Sequence, residues 1–127
     1  MIYELCHRPK NIEIALLDKA ISFACDYLDL DLDFILEFKP LKQYQFGFCD
    51  YDEEEIILTI SKSLSKEDTI RTIFHEMVHI KQYADGRLIN GSPQRWLGKI
   101  HNEEYKNLPW ELESFDVEQK MINAFLL

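Results

Sequence analysis

The chain has 127 residues, 46% apolar and 29% charged, the balance of one soluble domain that buries a core without needing disulfides. A formal net charge of −9 argues against a nucleic-acid backbone or an anionic membrane surface as partner. Cys6, Cys25 and Cys49 are odd in number and form no CxxC, so they read as reduced thiols rather than bridges or a cysteine metal site.

The opening run Met-Ile-Tyr-Glu-Leu-Cys-His-Arg-Pro lacks the basic-then-apolar order of a signal peptide. No apolar stretch approaches the roughly 18 residues of a membrane span, so the expected location is cytoplasmic. Met1 to Cys6 suits a short strand. From Asn11 to about Asp29, Ile14, Leu17, Ile21, Ala24 and Leu28 recur at helical spacing and predict a packing helix. Asp31 to Lys39 reads as a strand through the alternation of Phe34, Leu36 and Phe38, ended by Pro40. Gln43 to Cys49 and Glu55 to Ile60 are two more predicted strands around an acidic turn. There Tyr44, Phe46 and Phe48, then Ile56, Leu58 and Ile60, are expected to face inward.

The next helix, about Lys66 to Asp85, carries the chemistry. Ser65-Lys66-Glu67-Asp68 fits a capping box, and the acidic first turn suits the helix dipole. Ile70, Ile73, Phe74, Met77, Val78 and Ala84 form its apolar stripe, and Gly86 stands where a stop is expected. Within it lies His75-Glu76-Met77-Val78-His79, an HExxH motif. Residues i and i+4 share one helical face, so both imidazoles reach one ion. Glu76 then stands beside the ion, where a general base takes a proton from water. Further on, Gly91-Ser92-Pro93 signals a turn, Arg95 to Lys99 a strand, and Pro109 the start of a last helix holding Trp110, Phe115, Val117, Met121, Ile122 and Phe125. The expected fold is α+β, a small and mostly antiparallel sheet flanked by the HExxH helix and a C-terminal glutamate-bearing helix, in one domain over residues 1–127.

A catalytic zinc takes three protein ligands and leaves a fourth position open. The spacing HExxHxxGxxH would supply the third from Asp85, but position 82 is Gln82, not the glycine needed to turn the chain back. Without that break Asp85 points well away from His79. His101 is a weaker candidate. Glu111 and Glu113 open the last helix and lie far apart around it, so only one faces the ion. Glu111 falls within the arc of Trp110, Phe115, Ile122 and Phe125, and a carboxylate on a buried face needs a compensating partner. Glu111 is therefore preferred, with Glu113 as the alternative and Glu118 as a supporting group on the same face.

The HExxH helix, the Trp-x-Gly-Lys segment at Trp96, and Tyr105 followed by Pro109-Trp110-Glu111-Leu112-Glu113-Ser114 resemble small gluzincin-type zincin metallopeptidases. Minigluzincins and the ImmA/IrrE-type proteases of phage and bacteria match the length best. The likeness covers the second half of the chain and rests mainly on HExxH and Pro-Trp-Glu-x-Glu. It implies Zn2+ held by His75, His79 and Glu111 or Glu113, with Glu76 as catalytic base in the hydrolysis of peptide bonds by metal-activated water. It also implies a substrate strand beside Glu55–Ile60. Gluzincins often place Asp or Asn four residues after the ligand glutamate. Here Phe115 or Val117 stands there, leaving Asp116 as a nearby substitute. Tyr83, Tyr105 and His101 are candidates to stabilise an oxyanion, and Trp96 and Trp110 read as core aromatics. The expected partner is a peptide or protein substrate, in the narrowest form one regulatory protein. The rival function is a catalytically silent binding or regulatory module with structural zinc.

Overall fold

The computed structural model describes residues 3–126, so Met1 and Ile2 of the first expected strand lie outside it. β1 (Tyr3–Cys6) begins a β-α-β unit completed by α1 (Ile14–Leu28) and β2 (Phe34–Lys39). β3 (Gly47–Tyr51) and β4 (Ile56–Ser61) form a hairpin, followed by α2 (Lys66–Ala84). Three two-residue strands, β5 (Leu88–Ile89), β6 (Arg95–Trp96) and β7 (Lys99–Ile100), make a separate antiparallel sheet. A 3-10 turn at Tyr105–Asn107 leads into α3 (Pro109–Phe125). The expected α+β class holds. Among the described residues no helix is long and apolar enough to cross a membrane.

The expectation of a mostly antiparallel sheet does not hold for the main sheet. Its order is β1-β2-β4-β3, with β1 parallel to β2, β2 parallel to β4, and only β3 antiparallel to β4. The cause is connection length. A helix between β1 and β2 carries the chain back across the sheet, which sets the strands parallel, whereas the short turn after Tyr51 permits only a hairpin. Arg95 to Lys99 is likewise not one strand. It turns back at Leu97 and Gly98, whose φ values of 51° and 82° are those of a tight hairpin turn.

Phe34, Leu36 and Phe38 of β2 and Ile56, Leu58 and Ile60 of β4 are buried as their alternation foretells. α2 packs against β3, β4, α1 and α3, making it the central helix. Phe23, Phe74 and Phe125, one from each long helix, meet with ring centroids 5.3–5.7 Å apart. Of the predicted helical stripes, Ile14, Ala84 and Phe115 are exposed, each at the margin of its buried face. Among the described residues Cys6, Cys25 and Cys49 form no disulfide.

Tyr44 and Phe46, expected to point inward, are 86% and 47% exposed. Pairing starts only at Gly47, because the backbone kinks at Tyr44 (φ 68°) and leaves both rings outside the sheet. Gly47 starts the strand for a steric reason. A Cβ there would sit 2.7 Å from the Thr59 carbonyl oxygen and 2.9 Å from Thr72 Cγ2 of α2, so β3 approaches α2 only without a side chain at that point. Gly47→Ala is expected to cost roughly 1–3 kcal/mol of stability, as overpacking does, read as a lowered urea midpoint at unchanged slope.

Candidate metal centre

Local sequence sets α2 up as a rigid bearer of the site. The Ser65 hydroxyl accepts a hydrogen bond from the Asp68 amide at 3.1 Å, Glu67 and Asp68 lie in the first turn, and Gly86 follows the helix end with φ 74°. Thr69 to Ile80 is buried almost without break, so His75, Glu76 and His79 sit inside the protein rather than on a wet face. α3 supplies the opposing wall. Pro109 occupies its first turn, and Trp110, Glu111, Ser114, Glu118, Met121 and Ile122 are buried along it. Two carboxylates and a hydroxyl in that stripe have specific duties: the Ser114 hydroxyl donates to the His75 carbonyl at 2.7 Å and docks the helices together.

The Glu111 carboxylate reaches between the two imidazoles. Nε2 of His75 lies 2.9 Å from its Oε1, and Nε2 of His79 lies 3.1 Å from its Oε2. One ligand atom from each of the three residues falls within 4.8 Å of the others. The far nitrogens are also engaged, His75 Nδ1 donating to Glu118 Oε1 at 2.8 Å and His79 Nδ1 to Gln82 Oε1 at 2.7 Å. Outward-bonded Nδ1 atoms with converging Nε2 atoms are how metal-binding imidazoles are held. A tetrahedral zinc with bonds of about 2.0–2.2 Å spaces its ligand atoms by about 3.3 Å. Two imidazole nitrogens and one carboxylate are the donor types zinc takes, and the two Nε2-to-carboxylate distances of 2.9 and 3.1 Å lie near that spacing.

No protein family, curated protein or solved structure matches this chain. The site therefore has to be read from its own chemistry.

The other candidates are drawn elsewhere. Glu113 binds Arg87 at 2.7 Å, Asp85 pairs with Lys81 and Arg87, His101 with Glu103, and Asp116 with Lys120. Glu118, not Asp116, holds the His75 ring, and Arg71 stands 3.6 Å from its other oxygen. Trp110 is buried, while Trp96 is half-buried under the Arg87 guanidinium. The role of Gln82 was missed, although a glutamine one turn beyond a candidate ligand on an apolar face is a readable signal.

Two cavities meet at the site. One, of about 830 Å³, is lined by His75, Glu76, Tyr44, Phe46, Phe48 and Phe115. The other, of about 230 Å³, is lined by Glu76, His79, Cys49, Tyr83 and Glu111. Glu76 and Tyr105 border both. Partial burial, then the nearby Glu111 and Glu76 charges, raise the pKa of the Tyr105 hydroxyl. Of the three oxyanion candidates, Tyr105 borders both cavities, Tyr83 only the smaller, and His101 neither.

Burial pushes the Glu76 carboxyl up, the two imidazoles pull it back, and the Glu111 carboxylate adds to the rise. Burial alone would lower His75, but its hydrogen bonds to Glu111 and Glu118 hold it up at about 9. Burial also works to raise Glu111, but the two histidines bring it down to about 2. The sign for stability follows in the metal-free protein. The His75 contribution is complete below 6.5 and is lost as pH rises through about 9. That of Glu111 is complete above 4.5 and is lost as pH falls through about 2. Urea unfolding of chelator-treated protein is therefore expected to show the pairing in full between about pH 4.5 and 6.5, weakening in both directions.

Proposed function

We propose that this protein is a compact zincin-like zinc metallopeptidase, with His75, His79 and Glu111 as ligands and Glu76 as general base. The observation that carries the reading is the buried convergence of both Nε2 atoms on the Glu111 carboxylate, with Glu76 bordering an open cleft beside them. A zinc ion held there would lower the pKa of its water towards ~7 and polarise a peptide carbonyl. Glu76, raised by burial and set next to the first ligand, takes the proton from the attacking water and passes it to the leaving amine. Tyr105, which borders both cavities together with Glu76, would donate to the developing oxyanion.

The substrate would lie along β3, not β4. β4 is enclosed between β2 and β3, whereas β3 is the edge of the sheet and borders the site. The Phe46 carbonyl accepts from the Ser61 amide and the Asp52 amide donates to the Glu55 carbonyl. Antiparallel alternation therefore turns Gly47, Cys49 and Tyr51 to the outer edge. Asn90 takes the Tyr51 carbonyl at 2.6 Å, which leaves Gly47 and Cys49, next to Glu76, for an extended peptide. Tyr44, Phe46 and Phe115 supply an apolar wall suited to a large nonpolar side chain.

The test combines native mass spectrometry with a peptide library. The expected result is stoichiometric zinc and cleavage that chelation abolishes and zinc restores. Protein that takes no zinc after reconstitution would sink the reading.

A further inference from the structure

Gln82 is 0% exposed, a polar side chain in a wholly buried position for which peptide hydrolysis has no direct use. Its amide makes three contacts. Oε1 lies 2.7 Å from His79 Nδ1, and Nε2 lies 2.9 Å from the Trp110 carbonyl and 3.2 Å from Glu113 Oε1. The last two partners only accept, so the amide NH2 must face them. Reversing the amide would set its oxygen against a carbonyl and a carboxylate in a buried site, an arrangement with no hydrogen bond to offset it. The oxygen must then face His79, and Nδ1 of that ring must carry a proton. Glu113 is itself fixed by Arg87 at 2.7 and 2.8 Å, and the Arg87 guanidinium lies 5.3 Å from the Trp96 ring centroid. Trp110, whose carbonyl Gln82 holds, directly precedes Glu111.

We propose that Gln82 is a positioning residue that keeps His79 in its Nδ1–H form, with Nε2 turned to Glu111, and ties that ring to the first turn of α3. Its purpose rests on the zinc reading above, but the orienting role exists in the metal-free protein as well. It also gives Glu113 and Arg87 a function: they fix which way the amide points.

The experiment follows the His79 ring by 15N NMR and zinc affinity by chelator competition, in wild type, Gln82→Met and Gln82→Glu. In metal-free wild type, a His79 Nδ1–H signal protected from solvent exchange is expected, and it should vanish in Gln82→Met. Zinc affinity should fall about 10–100-fold in Gln82→Met, the usual cost of losing a partner that orients a ligand. Gln82→Glu keeps the acceptor for His79 and loses the donors to Trp110 and Glu113. It should retain the Nδ1–H signal and recover part of the affinity lost in Gln82→Met, the remainder staying lost because its second oxygen faces the Trp110 carbonyl and Glu113. A protected signal that survives in Gln82→Met, or is absent from wild type, would overturn the proposal whether or not zinc binds. Equal affinity of wild type and Gln82→Met would overturn it while leaving the zinc reading intact, and no zinc in wild type would do the reverse. Should Gln82→Met fail to fold, a folded Gln82→Glu that loses the Nδ1–H signal decides against the proposal.

Discussion

Glu76→Gln is expected to lower peptide hydrolysis by about 10²–10⁴-fold, the usual worth of a positioned general base, while zinc content stays at the wild-type level. The argument is one of placement. Glu76 borders both cavities, whereas both imidazole Nε2 atoms point to Glu111, so the proposed ligand set does not call on Glu76. Glutamine keeps the shape and loses the base. It also removes a carboxyl that burial pushes up in pKa, so the variant should melt no lower than wild type. Lost turnover at full metal content and full stability would isolate the chemical step from folding. Unchanged turnover would place the base elsewhere. Zinc without any hydrolysis in wild type would instead favour a binding module that keeps the ion as a staple, and retention of a buried acid at position 76 would then need another cause.

The parts of this molecule legible in the sequence are those written in local periodicity. Ser65, the buried run from Thr69 to Ile80, the HExxH spacing and Gly86 each act over a few residues, and α2 formed as they foretold. Pro109 opened α3 in the same way. Long-range pairing is different. Strand direction depends on how the chain crosses between strands, so an alternation such as Phe34, Leu36, Phe38 identifies a strand but not the sense in which its neighbour runs. Tyr44 and Phe46 look like core residues by type, yet the backbone kink before Gly47 sends them to the wall of the cleft. Helical spacing favours Glu111 over Glu113 but does not say what would hold Glu113 instead. The pairing that draws Glu113 away comes from Arg87, in the bend between α2 and β5.

That division of labour makes the largest expected effect on the metal a contrast between two neighbours. Glu111→Ala should abolish stoichiometric zinc binding, weakening it by more than the roughly 10–100-fold that follows loss of an outer partner. The change removes the single carboxylate both Nε2 atoms face and leaves two buried imidazoles without their acceptor. In the metal-free variant the histidines lose their strongest reason to hold protons, so His75 should titrate well below the value of about 9 it has beside Glu111 and Glu118. Glu113→Ala removes a different thing. Arg87 loses its closest acid and Gln82 one of two acceptors, but the Trp110 carbonyl still holds the amide and Glu111 is untouched. Zinc should bind within about tenfold of wild type, below the range for a partner that orients a ligand directly. Metal stoichiometry by native mass spectrometry, followed by chelator competition, reads both variants. Loss confined to Glu113→Ala would mean that α3 turns when the ion binds, bringing the second glutamate inward and releasing Arg87. Loss in neither would mean that the two histidines recruit their third ligand from outside α3, and the buried Glu111 would then be a proton-sharing partner of the imidazoles alone.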